Sequence, residues 1–461
     1  MCIKVIILAD GTGAMLWPLS RNRYPKQFIK FQNQEHSLFQ ETFNRSLLIA
    51  DLDDIYVVTN KNYKFLVMGA VEELGHKYRE ENILVEPEAK NTLPAIYAGV
   101  HEIVKEGHDL VIVFPSDHII KKDKKLVELI KVSEGLTKDS LITFGIKPDG
   151  PHTGYGYISP GDVKGNGYVV KEFKEKPDYQ TAVQYIRNGY YWNSGIFMFD
   201  TRIFIEEVKT YVSEIFNAFQ DCKTLEEAFA KIKINISIDY GIMENSNRVV
   251  VVPADIDWND LGSFDSFYVA FDKNEGNNIA EKNYLLLDSN NTIIHSEDGK
   301  LVVTVGIDNV IIIDTKDALL VCKKGQSQKV QEVVALLKEK GDIRTDYHLQ
   351  DYRPWGSYTI LEEEKNTFKV KRIKVNPKEK LSYQLHRHRS EHWIIVQGVA
   401  KVTLDDEVKI LQCGENIFVH AKQKHRIENP GKMPLEFIEV QIGNYLEEDD
   451  IVRFEDEYGR K

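Results

Sequence analysis

The sequence predicts an α/β protein in three parts. A domain on a mixed, mostly parallel sheet comes first, then a small β-rich segment, then a C-terminal β-barrel. Three observations carry this expectation. Over the first ~120 residues, strand-type and helix-type patterns alternate, the texture of a parallel sheet with helices on its faces. From about residue 280, short strand-type runs follow one another with turns between, as in a small β-solenoid. From Gly356 to the end, short β-type runs dominate again.

In chain order, Lys4–Ala9, Asp54–Thr59 and Leu110–Phe114 read as buried strands, and Leu93–Lys105 reads as a helix. Ligands of such sheets bind beyond the carboxyl ends of the strands, which directs attention to the loops Asp10–Arg23, Asn60–Lys64 and Pro115–Ile119. Leu285–Asp288, Thr292–His295, Lys300–Val305, Asn309–Asp314 and Ala318–Val321 read as the short strands of the middle segment. Lys329–Lys340 reads as an amphipathic helix, and Asp342–Trp355, polar and containing Pro354, as a linker. The expected domains are 1–275, 276–345 and 346–461.

Bulk properties exclude several classes. The net charge of −12 argues against a nucleic-acid binder, which would carry a basic face. No apolar run approaches the ~18–20 residues of a membrane span. Met1–Leu8 lacks the long apolar stretch and cleavage site of a signal peptide, so a cytoplasmic location is expected. Cys2, Cys222, Cys322 and Cys413 share no metal-type spacing and read as reduced thiols.

The segment Leu8–Arg21, LADGTGAMLWPLSR, is a strand, a Gly-containing loop and a Pro, followed by Tyr24-Pro25-Lys26-Gln27-Phe28. Gly11 and Gly13 let backbone N–H groups approach phosphate oxygens, and Lys26 can neutralise phosphate charge. The dinucleotide fingerprint fails because position 16 is Leu, and the Gly-Lys-Ser/Thr of a P-loop is absent. The segment resembles the GGxGTRLxPL…PK loop of the nucleotide-sugar pyrophosphorylases, and Trp17, Ser20-Arg21 and YPKQF narrow the resemblance to mannose-1-phosphate guanylyltransferases. Further resemblances follow in order: Glu86-Pro87 with Lys90-Asn91-Thr92, Pro115-Ser116-Asp117-His118, Thr153–Ile158, Phe173–Pro177, Trp192–Gly195 and Trp258–Ser263. The resemblance implies a Rossmann-like nucleotidyltransferase that joins GTP to mannose 1-phosphate. It implies nucleotide contacts from Leu8, Gly11, Thr12, Gly13, Lys26, Asn91 and Asp117, with Lys26 and Asp117 catalytic. Gly156, Glu175, Lys176 and Asn193 would hold the sugar phosphate. Asp117 and Asp260, two carboxylates brought together, would hold Mg2+.

Three residues depart from that pattern. Asp10 stands where the family has Gly, Ala14 where it has Thr, and Met15 where it has the Arg that faces the triphosphate. Met cannot stabilise phosphate charge, and losing one such donor costs roughly 2.7–4 kcal/mol by analogy with oxyanion sites. Asp10 adds a repelling charge, and at a position of positive φ it would strain the loop. The expectation is a weak or inactive transferase, unless Arg21, Arg23 or Lys26 substitutes.

In the C-terminal part, Gln384-x-His386-x₄-Glu391-x₆-Gly398 is followed by Gly414 and by His425-x₃-Asn429. On one strand Gln384 and His386 face the same side, and His388 continues the alternation. The spacing resembles that of cupin barrels. Arg353-Pro354-Trp355-Gly356, QLHRHRSEHW at 384–393, His425–Pro430 and Glu439-Val440-Gln441 resemble the type II phosphomannose isomerase module. Lys378, His420 and Lys422 depart from that module in its turns. The resemblance implies Gln384, His386, Glu391 and His425 as ligands of a divalent transition metal such as Zn2+, and aldose–ketose isomerisation of mannose 6-phosphate. Arg389, ahead of Lys371 and Lys380, would bind phosphate or enediolate, and His392 or His388 would be the base.

The leading expectation is therefore a bifunctional enzyme of GDP-mannose synthesis. Its small-molecule partners would be GTP, mannose 1-phosphate and mannose 6-phosphate, with no nucleic acid and no membrane; a homo-oligomer is left open. The alternatives are an isomerase with an impaired transferase domain, and a non-catalytic nucleotide-sugar binder with a metal-free barrel.

Overall fold

The structure is a computed structural model that describes residues 3–11, 16–31, 34–280 and 284–455. Thr12, Gly13, Ala14 and Met15 lie outside the described residues. The chain divides into two compact units, Met1–Thr345 and Asp346–Lys461.

The first unit is built on strands β1 (Ile3–Leu8), β2 (Ile55–Asn60), β3 (Ile83–Glu86), β4 (Leu110–Pro115), β5 (Ile119–Ile120), β6 (Leu141–Ile146), β7 (Gly156–Lys164), β8 (Gly167–Glu175), β9 (Tyr191–Asp200), β10 (Val249–Pro253) and β11 (Trp258–Asn259). Among the described residues nine of them form one sheet in the order β3-β2-β1-β4-β9-β6-β10-β8-β7. The β3-β2-β1-β4 half is parallel. Its strands are covered on both faces, which is why they read as unbroken apolar runs: Val5, Ile6 and Ile7 are wholly buried. Strand β9 then enters antiparallel between β4 and β6, and β7–β8 form an antiparallel hairpin at the far edge. The short pair β5–β11, with Ile119 opposite Asn259, fastens the loop after β4 beside the turn at Asp260.

The middle segment has strands β12 (Leu285–Leu287), β13 (Ile293–Ser296), β14 (Val303–Val305), β15 (Val310–Asp314) and β16 (Leu319–Lys323). Leu285 pairs in parallel with Val303 and Ile293 with Ile311, so one coil takes 18 residues. That is the solenoid pattern the sequence suggested. A helix, Val330–Glu339, follows. Ile293, Ile311 and Val334 share a core with Leu16, Trp17 and Phe267, so this segment packs as part of the first unit. Trp17 Nε1 donates to the carbonyl of Arg344 at 3.1 Å.

The second unit has strands β17 (Gln350–Arg353), β18 (Gly356–Glu364), β19 (Phe368–Val375), β20 (Tyr383–His386), β21 (Arg389–Gln397), β22 (Val399–Leu404), β23 (Glu407–Gln412), β24 (Asn416–Val419), β25 (His425–Glu428), β26 (Leu435–Gly443) and β27 (Ile451–Glu455). They form two sheets, β17-β18-β19-β26-β21-β24 and β23-β22-β25-β20-β27. Trp393 and Phe437 from the first share one core with Val402 and Ile427 from the second. The expected linker at Asp342–Trp355 is corrected: its second half is β17, paired tightly with β18, with Pro354 in the turn where no ladder N–H is needed. Gly356 follows at φ 143°, and a Cβ there would run into the carbonyl of Lys374. Among the described residues, no helix is long and apolar enough to cross a membrane.

Candidate active sites

The first site lies at the carboxyl ends of β1–β4. Lys26 is buried in a short helical turn that follows Pro25. Its Nζ lies 2.7 Å from Asp117 Oδ2 and donates to the carbonyl of Asp260 at 2.6 Å. One lysine thus joins the two residues predicted to hold metal. Burial alone would raise the Asp117 pKa, but Lys26 and His118 outweigh it and hold the group below its ordinary value. Trp258 Nε1 donates to His118 Nδ1 at 3.1 Å, and His118 Nε2 faces Asp117 at 3.6 Å. Burial keeps the His118 pKa low, which favours the neutral ring. The Asp260 carboxylate accepts from Tyr155 Oη at 2.7 Å and from the N–H of Gly262 at 3.0 Å. Asp117 and Asp260 are hard oxygen donors of the type Mg2+ takes.

The predicted sugar-phosphate residues meet at the β7–β9 end of the sheet. Asn193 accepts from Thr143 Oγ1 at 3.0 Å and donates to Asp239 Oδ1 at 2.9 Å. Glu175 lies against Gly156, where a Cβ would sit 2.5 Å from Glu175 Oε2. Burial, with Asp239 close by, pushes the Glu175 carboxyl up to about 7. Lys176 Nζ lies 3.5 Å from Glu175 Oε1, at a residue of φ 48°. Asp239 and Tyr155 were not singled out as site residues in the sequence. Only the fold, which brings Asp239 beside Asn193 across 46 residues, reveals the first. Asn91 sits at the N-cap of helix Thr92–Ile103, accepting from Thr92 N–H, and Leu8 ends β1.

The departure at Asp10 is visible in the structure. Asp10 accepts a short hydrogen bond from Asn60. Burial raises its pKa. Next to it, Glu86 at the end of β3 is 3% exposed, and its Oε1 has no hydrogen-bond partner among the described residues. Burial first and Asp10 second push Glu86 up to about 8. Asp10 does not have positive φ, so the expected backbone strain is absent. Arg21 is not available to replace the missing arginine. Its side chain is fully buried, pairs with Asp317 at 2.9 Å and lies over the Trp17 ring.

The second site is inside the second unit. His386, Glu391 and His425, each 1% exposed, bring donor atoms within 4.8 Å of one another. His386 Nε2 lies 3.0 Å from Glu391 Oε1, and His425 Nε2 lies 3.8 Å from Glu391 Oε2. His425 Nδ1 donates to the carbonyl of Gln423 at 2.9 Å, which leaves Nε2 as the bare lone pair. That Nε2 is buried without a hydrogen-bond partner among the described residues. Burial holds the His425 pKa low, so the ring is neutral. Glu391 is held well below its ordinary value despite burial, by His386, Arg389 and His425. The neutral His425 ring, an ionised carboxylate and an orphaned buried nitrogen fit a divalent metal. Gln384 lies at 3.4 Å from His386 Nε2 and accepts from Ser382 at 2.7 Å.

Arg389 reaches this cluster, with Nε 3.2 Å from Glu391 Oε1. Residues missed in the sequence surround it. Trp393 Nε1 donates to Glu391 at 3.1 Å and to Glu439 at 3.2 Å, and Gln441 donates to Glu439 at 2.7 Å. Lys371 stands opposite Glu439 in the ladder.

The two base candidates are corrected. His388 lies on a bend between β20 and β21, is exposed, and pairs with Asp450 at 2.7 Å. That bend resets the alternation, so Glu391 points inward and its neighbour His392 points away, to Asn416 at 3.0 Å.

Comparisons with known proteins agree with this architecture. Residues 4–277 match the family described as nucleotidyl transferase, 282–337 the MannoseP isomerase/GMP-like beta-helix domain, and 340–456 the mannose-6-phosphate isomerase C-terminal family. The xanthan biosynthesis protein XanB of Xanthomonas campestris pv. campestris is 42% identical over 99% of this chain and 98% of its own length. The alginate biosynthesis protein AlgA of Pseudomonas putida is 39% identical over 99% and 96%, and a mannose-1-phosphate guanylyltransferase of Klebsiella pneumoniae is 37% identical over 99% of both. The solved structure of a "mannose-1-phosphate geranyltransferase" from Thermus thermophilus is 29% identical, with a TM-score of 0.67, covering 73% of this chain and all of its own. By these matches the chain belongs to the nucleotidyl transferase family, in the form that carries a mannose-6-phosphate isomerase C-terminal domain.

Proposed function

We propose that this chain supports two steps of GDP-mannose synthesis: isomerisation of fructose 6-phosphate and mannose 6-phosphate by the second unit, and transfer of GMP from GTP to mannose 1-phosphate by the first. The observation that carries the transfer is Lys26 joining Asp117 to Asp260 at the sheet's carboxyl edge. Lys26 neutralises charge on the nucleotide phosphates and steadies the Asp117 carboxylate and the turn that carries Asp260. Mg2+ bound by Asp117 and Asp260 would supply further neutralisation of phosphate charge. Asn193 and Glu175 receive the sugar hydroxyls, and Lys176 its phosphate.

For the isomerase, Gln384, His386, Glu391 and His425 would hold a divalent transition metal such as Zn2+, which supplies Lewis-acid polarisation of the sugar carbonyl. Arg389, held beside Glu391, binds the anionic end of the substrate or the enediolate. With His392 turned away, Glu439, held by Trp393 and Gln441 beside Glu391, is the group to test for the proton transfer between C1 and C2.

Pyrophosphate release from GTP and mannose 1-phosphate with Mg2+, beside conversion of fructose 6-phosphate, tests the proposal. Turnover in both assays supports it. A second reading, an isomerase with an impaired transferase, draws on the Asp10–Glu86 carboxylates facing the nucleotide end of the sheet. It predicts isomerase activity with pyrophosphate release near background, rescued by Asp10→Gly with Met15→Arg.

A further inference from the structure

The second unit holds a concentration of positive charge beside the His386–Glu391–His425 cluster. Lys371 and Arg389 are buried, at 7% and 2% exposure. Lys371 and Arg353 both lie against the ring of Tyr358, at 4.7 and 5.6 Å from its centre. Cations are rarely gathered and buried this way without an anion. The anions present are supplied by the chain itself: Asp351 lies 2.9 Å from Arg353, Glu391 3.2 Å from Arg389, and Glu448 faces Lys371. Lys371 Nζ lies 3.5 Å from Glu448 Oε1. The protein packed around the Glu448 carboxylate would raise its pKa, but Lys371, Arg389, Arg353 and Arg453 outweigh this and hold it below the ordinary value.

Glu448 rides on a strap whose two ends are fastened. At one end, Arg389 Nη1 donates to the carbonyls of Leu446 and Glu447 at 3.4 and 3.3 Å. At the other, Asp450 is buried and accepts from the backbone N–H groups of Arg387 and His388 at 3.2 and 3.3 Å. Between these anchors the Glu448 side chain is exposed on its solvent side. A carboxylate at a surface among cations satisfies them in the absence of ligand and can swing out without unfolding its segment.

We propose that Lys371, Arg389 and Arg353 form the phosphate subsite of the isomerase, and that Glu448 is its built-in counter-ion, displaced when the substrate phosphate enters. This rests on the isomerase reading above and adds the subsite and its occupant. Arg389 touches both Glu391 and the strap, so one side chain links the reacting end of a hexose phosphate to its phosphate end. Glu448 thereby weakens binding of every anion. A doubly charged phosphate, with three oxygens to share among several donors, displaces it more readily than a singly charged acid.

The experiment uses the full-length, metal-loaded protein and inorganic phosphate as the probe. Glu448→Gln removes the competing charge but keeps the side chain's size. It should lower both the phosphate inhibition constant and the KM for fructose 6-phosphate by roughly fivefold, the worth of one partly exposed ion pair. Lys371→Met should raise both constants, and in that background Glu448→Gln should have little further effect. Thermal shift supplies a readout independent of turnover: phosphate should raise the melting temperature of Glu448→Gln more than that of the unaltered protein. Unchanged or raised constants in a folded Glu448→Gln, with normal isomerase activity, overturn the subsite and leave the isomerase reading intact. An unaltered protein without isomerase activity, in which Glu448→Gln still strengthens the phosphate-induced shift, sinks the isomerase reading and keeps the anion site.

Discussion

Glu86 shows what one residue can cost a fold. Buried, with one oxygen unpartnered among the described residues and Asp10 beside it, its carboxyl is pushed up from its ordinary 4.5 to about 8. Between those values the folded protein binds more protons than the unfolded chain, so Glu86 erodes stability as pH climbs from about 4.5 to 8. Glu86→Gln should flatten that slope and stabilise the first unit at pH 8, by on the order of 1–3 kcal/mol, read from urea unfolding at several pH values. Lys26→Met should lower pyrophosphate release by about 10²–10³-fold, the usual cost of one preorganised charge-stabilising donor. A loss below tenfold in steady-state assays would place Lys26 outside the chemistry. Lys26, Asp117 and Asp260 were legible in the sequence because each sits in a loop tied to a buried strand or to a Trp/Gly-rich turn. Asp239 and Glu439 were not, since Asn193 and Trp393, which draw them into their sites, come from strands distant in sequence. His388 was misread for a local reason: an alternation continued from Gln384 and His386 ignores the bend that ends β20.

Elements differ in how plainly they announce themselves. Strands β1, β2 and β4 carry apolar runs through their centres because both faces are covered there, and their observed limits fall within a residue of those expected. Strand β17 was hidden by Pro354, which looks like a linker residue until the hairpin is known. The insertion of β9 between β4 and β6 has no local signal at all, since pairing order is set by tertiary packing. The solenoid coil depends on a buried asparagine. Asn278 accepts from Thr292 N–H at 2.9 Å and from its Oγ1 at 2.8 Å, and donates to the carbonyl of Ser289 at 2.8 Å. Asn278→Ala strands these groups and should destabilise the first unit by about 1–3 kcal/mol. Denaturant midpoints compared with those of a control at a neighbouring exposed residue, Glu275→Ala, check this, and equal midpoints would contradict it.

At the scale of the whole molecule, the division into two units places the His386–Glu391–His425 cluster in the second. Prolonged chelation followed by assay in Mg2+ alone should reduce isomerase activity tenfold or more, by loss of bound metal. It should leave pyrophosphate release unchanged. Calorimetry should show a lower melting temperature for the second unit and none of that shift for the first; a shared shift would contradict the division. The first unit also closes on itself in a particular way. Trp17 and Arg21, just after the Gly-containing loop, are held by Arg344 and Asp317. A ribosome adding about 5–20 residues each second needs on the order of 15–65 s to travel from one to the other. For that interval Trp17 and Arg21 lack the Arg344 carbonyl and the Asp317 carboxylate that hold them, and the core around Leu16 and Trp17 lacks its last members, Ile311, Ile313 and Val334. A premature stop shortly before residue 317 would therefore release a chain with an intact parallel sheet in which the buried Arg21 guanidinium has lost its carboxylate partner.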